Sequence, residues 1–101
     1  MSTLKTRRVG KALTSKLEFE RHDSHHRIYR LYLDGQLVAR TFLSHGQREL
    51  TDFHIDQMVK QMRLSRREFL DAIECSLNRK VYYALVRERL FPSFHSPNDL
   101  P

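Results

Sequence analysis

Apolar and polar residues alternate over residues 17–21 (Leu-Glu-Phe-Glu-Arg), the period of a half-buried strand. Residues 22–25 are polar and predict a turn. Residues 26–33 are rich in β-formers, with Ile28, Tyr29 and Tyr32, and they run into Asp34-Gly35. That dipeptide marks a tight hairpin, because both central positions need positive φ. Residues 36–44 then form the partner strand, with Val38, Thr41 and Phe42. Two sets compete for the buried face of this sheet: Tyr29, Leu31, Val38 and Phe42, or Ile28, Tyr32, Leu37 and Leu43.

After His45-Gly46 the period changes to helical, with Leu50, Phe53, Ile55, Met58, Val59 and Met62 in the stripe and Thr51 placed to cap it. Ser65-Arg66-Arg67-Glu68 has the form of a capping box and opens a helix carrying Phe69, Leu70, Ala72 and Ile73. A last helix is predicted over residues 78–90, with Val81, Tyr82, Leu85 and Val86 on its apolar side. Near the N-terminus, Val9, Ala12 and Leu13 suit a short amphipathic helix that Gly10 weakens. The order is α-β-β-β-α-α-α: an α+β domain with one three-stranded antiparallel sheet, helices on one face and additional C-terminal helices. Residues 1–74 form the expected core, 75–90 a helical extension of the same domain and 91–101 a flexible tail.

Composition narrows the class. With 101 residues, 40% hydrophobic, the chain suits one globular domain. Lys and Arg number 18 against 12 Asp and Glu, a formal charge of +6. The excess is uneven: residues 1–17 hold Lys5, Arg7, Arg8, Lys11 and Lys16 with no acid before position 18, and residues 21–30 hold three Arg and three His against one Asp. Clustered cations attract phosphates through steering and counterion release, which favours a nucleic acid; acidic proteins and anionic lipids would be attracted too, so charge alone does not name the partner. The single Cys75 excludes a disulfide framework within the chain, and no apolar run is long enough to span a bilayer, so a cytoplasmic protein without membrane attachment is expected.

Chemistry gathers at Asp23-Ser24-His25-His26, flanked by Arg21, Arg27 and Arg30. An imidazole exchanges protons near neutral pH. RNA cleavage needs a base for the ribose 2′-hydroxyl and cations for the charge building on the phosphoryl oxygens. A histidine among arginines supplies both without a cofactor or metal. Histidines in a polar turn also serve phosphate binding, or are simply solvated.

From Leu17 to Asp71 the chain resembles HicA, the small toxin of HicA–HicB toxin–antitoxin pairs. The family's G-S-x-H turn corresponds to Asp23-Ser24-His25-His26; its strand ending near a histidine corresponds to Ser44-His45-Gly46; its helix leading to a Leu-Ser turn and a Glu-Phe pair corresponds to Ile55, Met58, Val59 and Met62, then Leu64-Ser65 and Glu68-Phe69. The resemblance implies a double-stranded-RNA-binding-domain-like fold and a metal-independent mRNA endoribonuclease with His26 as general acid/base. It implies Arg27 and Arg30 as phosphate contacts, with Ser24 and His25 in the RNA-binding turn, and a HicB-type antitoxin covering the His26 face. Asp23 stands where the family has Gly; its carboxylate would either repel phosphate or orient His26.

Other signals are weaker. Six histidines and Cys75 lack zinc-finger spacing, so no metal site is assigned. Cys75, between Ile73 and Leu77, reads as a small buried hydrophobe rather than a nucleophile. Arg66 and Arg67 could open a DNA-reading helix, where a phosphate would compensate their opposition to the helix dipole. Of Tyr82 and Tyr83, at least one must point away from the core side. The alternatives to cleavage are a non-catalytic RNA-binding module and a DNA-binding regulator. Oligomeric state is left open.

Overall fold

A computed structural model describes residues 4–74 and 76–90 of the chain. Its centre is the hairpin that Asp34-Gly35 dictates. Asp34 and Gly35 adopt φ of 54° and 80°, joining β3 (His26–Leu33) to β4 (Gln36–Ser44). A second hairpin, through Ser24-His25, adds β2 (Glu20–Asp23) to the other side of β3, giving the antiparallel order β2-β3-β4. A two-residue strand β1 (Leu4–Lys5) pairs with β5 (Glu49–Leu50) beside this sheet. Helix α1 (Thr6–Lys11) continues as a π-helical turn over Ala12–Lys16; α2 (Asp52–Met62), α3 (Arg66–Glu74) and α4 (Arg79–Leu90) follow the sheet.

One sheet face is closed. Tyr29, Leu31, Leu33, Ala39, Thr41 and Leu43 are buried there, with Val38. This set mixes the two competing ones. The reason is an extra residue in β4: Leu31 pairs with Ala39 but Tyr32 pairs with Leu37, so Val38 is a bulge that reverses the in–out parity of the strand. Tyr29, Leu31, Val38 and Leu43 face in; Ile28, Tyr32, Leu37 and Phe42 face out. Gly10 of α1 lies directly over Tyr29: a Cβ there would sit 2.9 Å from the phenol oxygen. The glycine that weakens the helix is what lets it approach the sheet.

The strand expected over residues 17–21 starts later, at Glu20. Leu17 N–H closes the π turn on Ala12 O, Phe19 N–H bonds Leu13 O, and Glu18 takes φ of 61°. Leu17 and Phe19 are therefore both buried without belonging to the ladder, and the turn shrinks to Ser24-His25.

The helix ends form as their residues dictate. Thr51 Oγ1 accepts from His54 N–H at 3.3 Å. Ser65 N–H donates to Glu68 Oε1 at 2.8 Å and Glu68 N–H to Ser65 Oγ at 3.1 Å, a complete capping box. Asn78 Oδ1 caps α4 by accepting from Val81 N–H. Arg63 ends α2 in the left-handed conformation (φ 64°) and donates from Nε to the bulged Val38 carbonyl. Two expected core positions, Phe53 and Val81, are exposed, and Leu50 is buried as expected but in β5 rather than in the helix. α4 still reaches the core through Tyr82 and Val86, with Tyr82 stacked against Phe19. No helix among the described residues is long and apolar enough to cross a membrane. Cys75 and residues 91–101, including the expected tail, lie outside the described residues.

Candidate nucleic-acid interface

Strand alternation sends His26, Ile28, Arg30 and Tyr32 of β3 to the open face of the sheet. Cross-strand register sets His22 and Phe42 on either side of Ile28, Glu20 and Arg40 on either side of Arg30, and Ser44 opposite His26. The face is both apolar and cationic. Tyr32, Leu37 and Phe42 are 43%, 49% and 37% exposed, an uncommon density of large apolar groups for a solvated sheet. His26, the first residue of β3, is exposed, and its ring lies 5.2 Å from that of Phe42. Among the described residues its ring nitrogens make no hydrogen bond.

The turn beside it is well fixed. His45 Nε2 donates to the Ser24 carbonyl at 3.1 Å, tying the Ser24-His25 turn to the end of β4. Ser24 N–H bonds His26 O. Asp23 neither faces His26 with a hydrogen bond nor stands unpaired. Its carboxylate takes a two-point pair from Arg21, at 2.8 and 3.0 Å, and that guanidinium holds it below the usual carboxylate range.

The sequence-assigned residues do not form one cluster. His26 and Arg30 share the open face; Ser24 and His25 occupy the exposed turn at its end; Arg27, one position along from His26, points to the opposite side with Tyr29. There it joins Arg7 and Lys11 of α1, cations that sequence spacing did not connect with the histidine turn. Phe42 and Arg40 are also absent from the sequence-level assignment. Their signal was the register from Asp34-Gly35, which puts Phe42 across from Ile28 and Arg40 across from Arg30 once the bulge is counted.

A small apolar hollow of about 210 Å³ borders the open face between β4 and α2, with Phe42, Phe53 and Gln57 among its walls. Arg66 is committed elsewhere: it donates to Asp56 at 2.7 Å and to Asp52 at 2.6 Å. These carboxylates supply the compensation at the start of α3 for which a phosphate was the expected source. Tyr82 is buried and donates to Met62 O, whereas half-buried Tyr83 donates to Leu17 O; burial pushes both phenols up in pKa. Neither offers a free stacking ring. No three His, Cys, Asp or Glu side chains among the described residues come together as a metal-binding group.

Set against protein-family models, curated proteins and solved structures, the chain matches none.

Proposed function

We propose that this chain is a cytoplasmic RNA-binding protein of HicA-like type, which lays single-stranded RNA on the open face of β2-β3-β4 and cleaves it without a metal ion. The observation that carries the reading is the exposed His26 imidazole beside the exposed Phe42 ring, on a face that also presents Arg30 and Arg40. Unpaired bases stack on aromatic rings, and guanidiniums hold the phosphates between them. An imidazole in that setting takes the proton of a ribose 2′-hydroxyl. The 2′-oxygen then bonds to phosphorus as a 2′,3′-cyclic phosphate, the bond from phosphorus to the 5′-oxygen breaks, and the 5′-oxygen takes its proton from solvent water while the His26 imidazolium returns its own to solvent. Of the two assigned arginines of β3, Arg30 is the one that shares the open face with His26, four residues or about 13 Å of extended backbone away, within reach of a neighbouring phosphate. The order of motifs that resembles that of HicA toxins supports cleavage over mere binding, and a HicB-type antitoxin would cover this same face.

The second reading is a non-catalytic RNA-binding module. It is favoured by the His26 ring having no hydrogen-bonded orienting group among the described residues, whereas catalytic imidazoles are commonly held by one. DNA reading by α3 has less support, because Arg66 is occupied by Asp52 and Asp56.

Single-turnover cleavage of a short single-stranded RNA in the presence of a chelator separates these. The wild type is expected to cut, and His26→Ala to cut about 10²–10⁴-fold more slowly with an unchanged melting temperature. Equal rates for the two proteins defeat the catalytic assignment. Intact RNA together with steeply salt-dependent binding identifies the binding module.

A further inference from the structure

On the side of the sheet away from His26, three separate segments bring cations to one place. Arg7 and Lys11 are four residues apart and share one side of α1. Arg27 comes from β3 and Arg48 from the link before β5. With Lys5 and Arg8 they line a broad open hollow of about 1190 Å³, whose floor includes the Gly46 turn. Lys5 is paired with Glu49 and Arg8 with Glu74. Arg7, Lys11, Arg27 and Arg48 form no ion pair among the described residues; Arg27 stands across the strand register from Asp23, whose carboxylate is taken by Arg21. The contrast with Arg66, which has two ion pairs, is direct.

Arg7, Lys11 and Arg48, with Arg27 only in part offset by Asp23, put like charges around one concavity, and an anion lowers the cost of their repulsion. Three of the four are arginines, whose planar forks match pairs of phosphate oxygens. A second, smaller depression shares Arg7, Lys11 and Arg27 and continues along α1 to Thr14, ending at the Arg21–Asp23 pair. A band of that kind suits successive phosphates along a chain better than one isolated phosphate.

Its position relates it to the proposed cleavage face. Successive strand residues point to opposite sides, so His26 and Arg27 straddle the sheet at its end. The rim between the two surfaces is the Ser24-His25 turn and the Ser44-His45-Gly46 link, pinned together by His45 Nε2 and Ser24 O. We infer that the α1–Gly46 hollow is a second RNA-backbone site, which takes phosphates of the strand lying on the open face after that strand crosses this rim. The route of the strand rests on the RNA reading of the open face; the anion site itself rests on the cations.

The test is fluorescence anisotropy of the full chain with a labelled single-stranded RNA of about 20 nucleotides, long enough to span both surfaces, across a salt series. All proteins carry His26→Ala so that RNA stays intact. Arg7→Glu with Lys11→Glu is expected to weaken binding at least about tenfold at low salt. The slope of log affinity against log salt should fall by about 1.4, the value for two lost single-strand phosphate contacts. The control is Arg67→Glu with Lys80→Glu, which changes net charge equally on exposed helix surface and should lose much less. Arg48→Gln, a milder change in the link, should lower both affinity and slope in the same direction, and serves if the double reversal does not fold.

Equal losses in the double reversal and the control overturn the inference, as does an unchanged slope. Tighter binding of a polyglutamate peptide than of RNA at the same salt also overturns it, and makes the hollow a seat for an acidic protein segment. Phe42→Ala separates this inference from the open-face reading. Loss with Phe42→Ala but not with the double reversal removes the hollow and keeps the face. Loss with the double reversal alone upholds the hollow and removes the face.

Discussion

Tyr29 and Ile28 are neighbours on β3, yet Tyr29 is sealed under Gly10 of α1 while Ile28 lies half-buried beside exposed Phe42. The same opposition holds along the sheet. The buried part of the inner face is filled by aliphatic and aromatic groups with the polar pair of Thr41 Oγ1 donating to Gln61 Oε1 at 2.7 Å, and its charged groups, Arg21, Asp23 and Arg27, lie at its end. The outer face mixes Tyr32, Leu37 and Phe42 with Arg30, Arg40, His22 and His26 and has no covering element among the described residues. Apolar residues on the inner face stabilise the fold. Apolar residues on the outer face gain little from folding, so their contribution lies in what they meet.

That contrast can be broken by paired substitutions. Tyr29→Ala, which empties a fully buried aromatic site, is expected to lower unfolding free energy by about 3–5 kcal/mol, measured by urea denaturation. Phe42→Ala should cost the fold less than about 1 kcal/mol, yet weaken RNA binding by about 1–3 kcal/mol. If Phe42→Ala unfolds the protein as readily as Tyr29→Ala, the two faces are not distinct. Gly10→Ala sharpens the inner side. A methyl group 2.9 Å from the Tyr29 hydroxyl must displace either the buried Tyr29 ring or α1, so a loss of about 1–3 kcal/mol is expected even though alanine favours a helix by about 1 kcal/mol. A stabilised Gly10→Ala would mean that the close packing is dispensable.

The smallest expected effect tests a helix junction away from both faces. Glu68 closes the capping box of α3 and takes a two-point pair from Arg89 of α4, at 2.7 Å on each oxygen. Arg89 first, and then the Ser65 N–H, pull its pKa down to about 2. A carboxyl depressed on folding contributes stability above its unfolded pKa of about 4.3, and that contribution fades as pH falls towards 2. Glu68→Gln should therefore cost about 1 kcal/mol near neutrality, from the weakened cap and ion pair. The gap between wild type and variant should close on acidification from about pH 4.5 to 2, in parallel thermal melts. A gap independent of pH would show that the pair is not coupled to folding.

Much of this architecture is readable from residues a few positions apart. Asp34-Gly35 sets a hairpin, and Ser65-x-x-Glu68 and Thr51 set helix starts, because each acts within its own turn. Reading fails where one residue changes the count. Val38 bulges and exchanges the faces of β4, and a left-handed Glu18 lets Leu17 and Phe19 mimic a strand while both turn inward. β1 and β5, two residues each, are too short to show a period. At the candidate site, the histidine turn is visible because it is contiguous. The companion surfaces are not: Arg7, Lys11, Arg27 and Arg48 converge from three segments, and Arg66 meets its acids 10 and 14 residues away.

The Val38 bulge reaches further than the parity of one strand. Both β2 and β4 are outermost strands of the described sheet. β4 is kinked at the bulge, where Arg63 occupies the Val38 carbonyl; β2 is four residues long, reading Glu-Arg-His-Asp, every one exposed. Short, charged or bulged margins resist extension by a foreign strand. A protein partner, or a second copy of this chain, is thus steered away from lengthening the ladder and towards lying flat across it, on the ground that the proposed function gives to RNA.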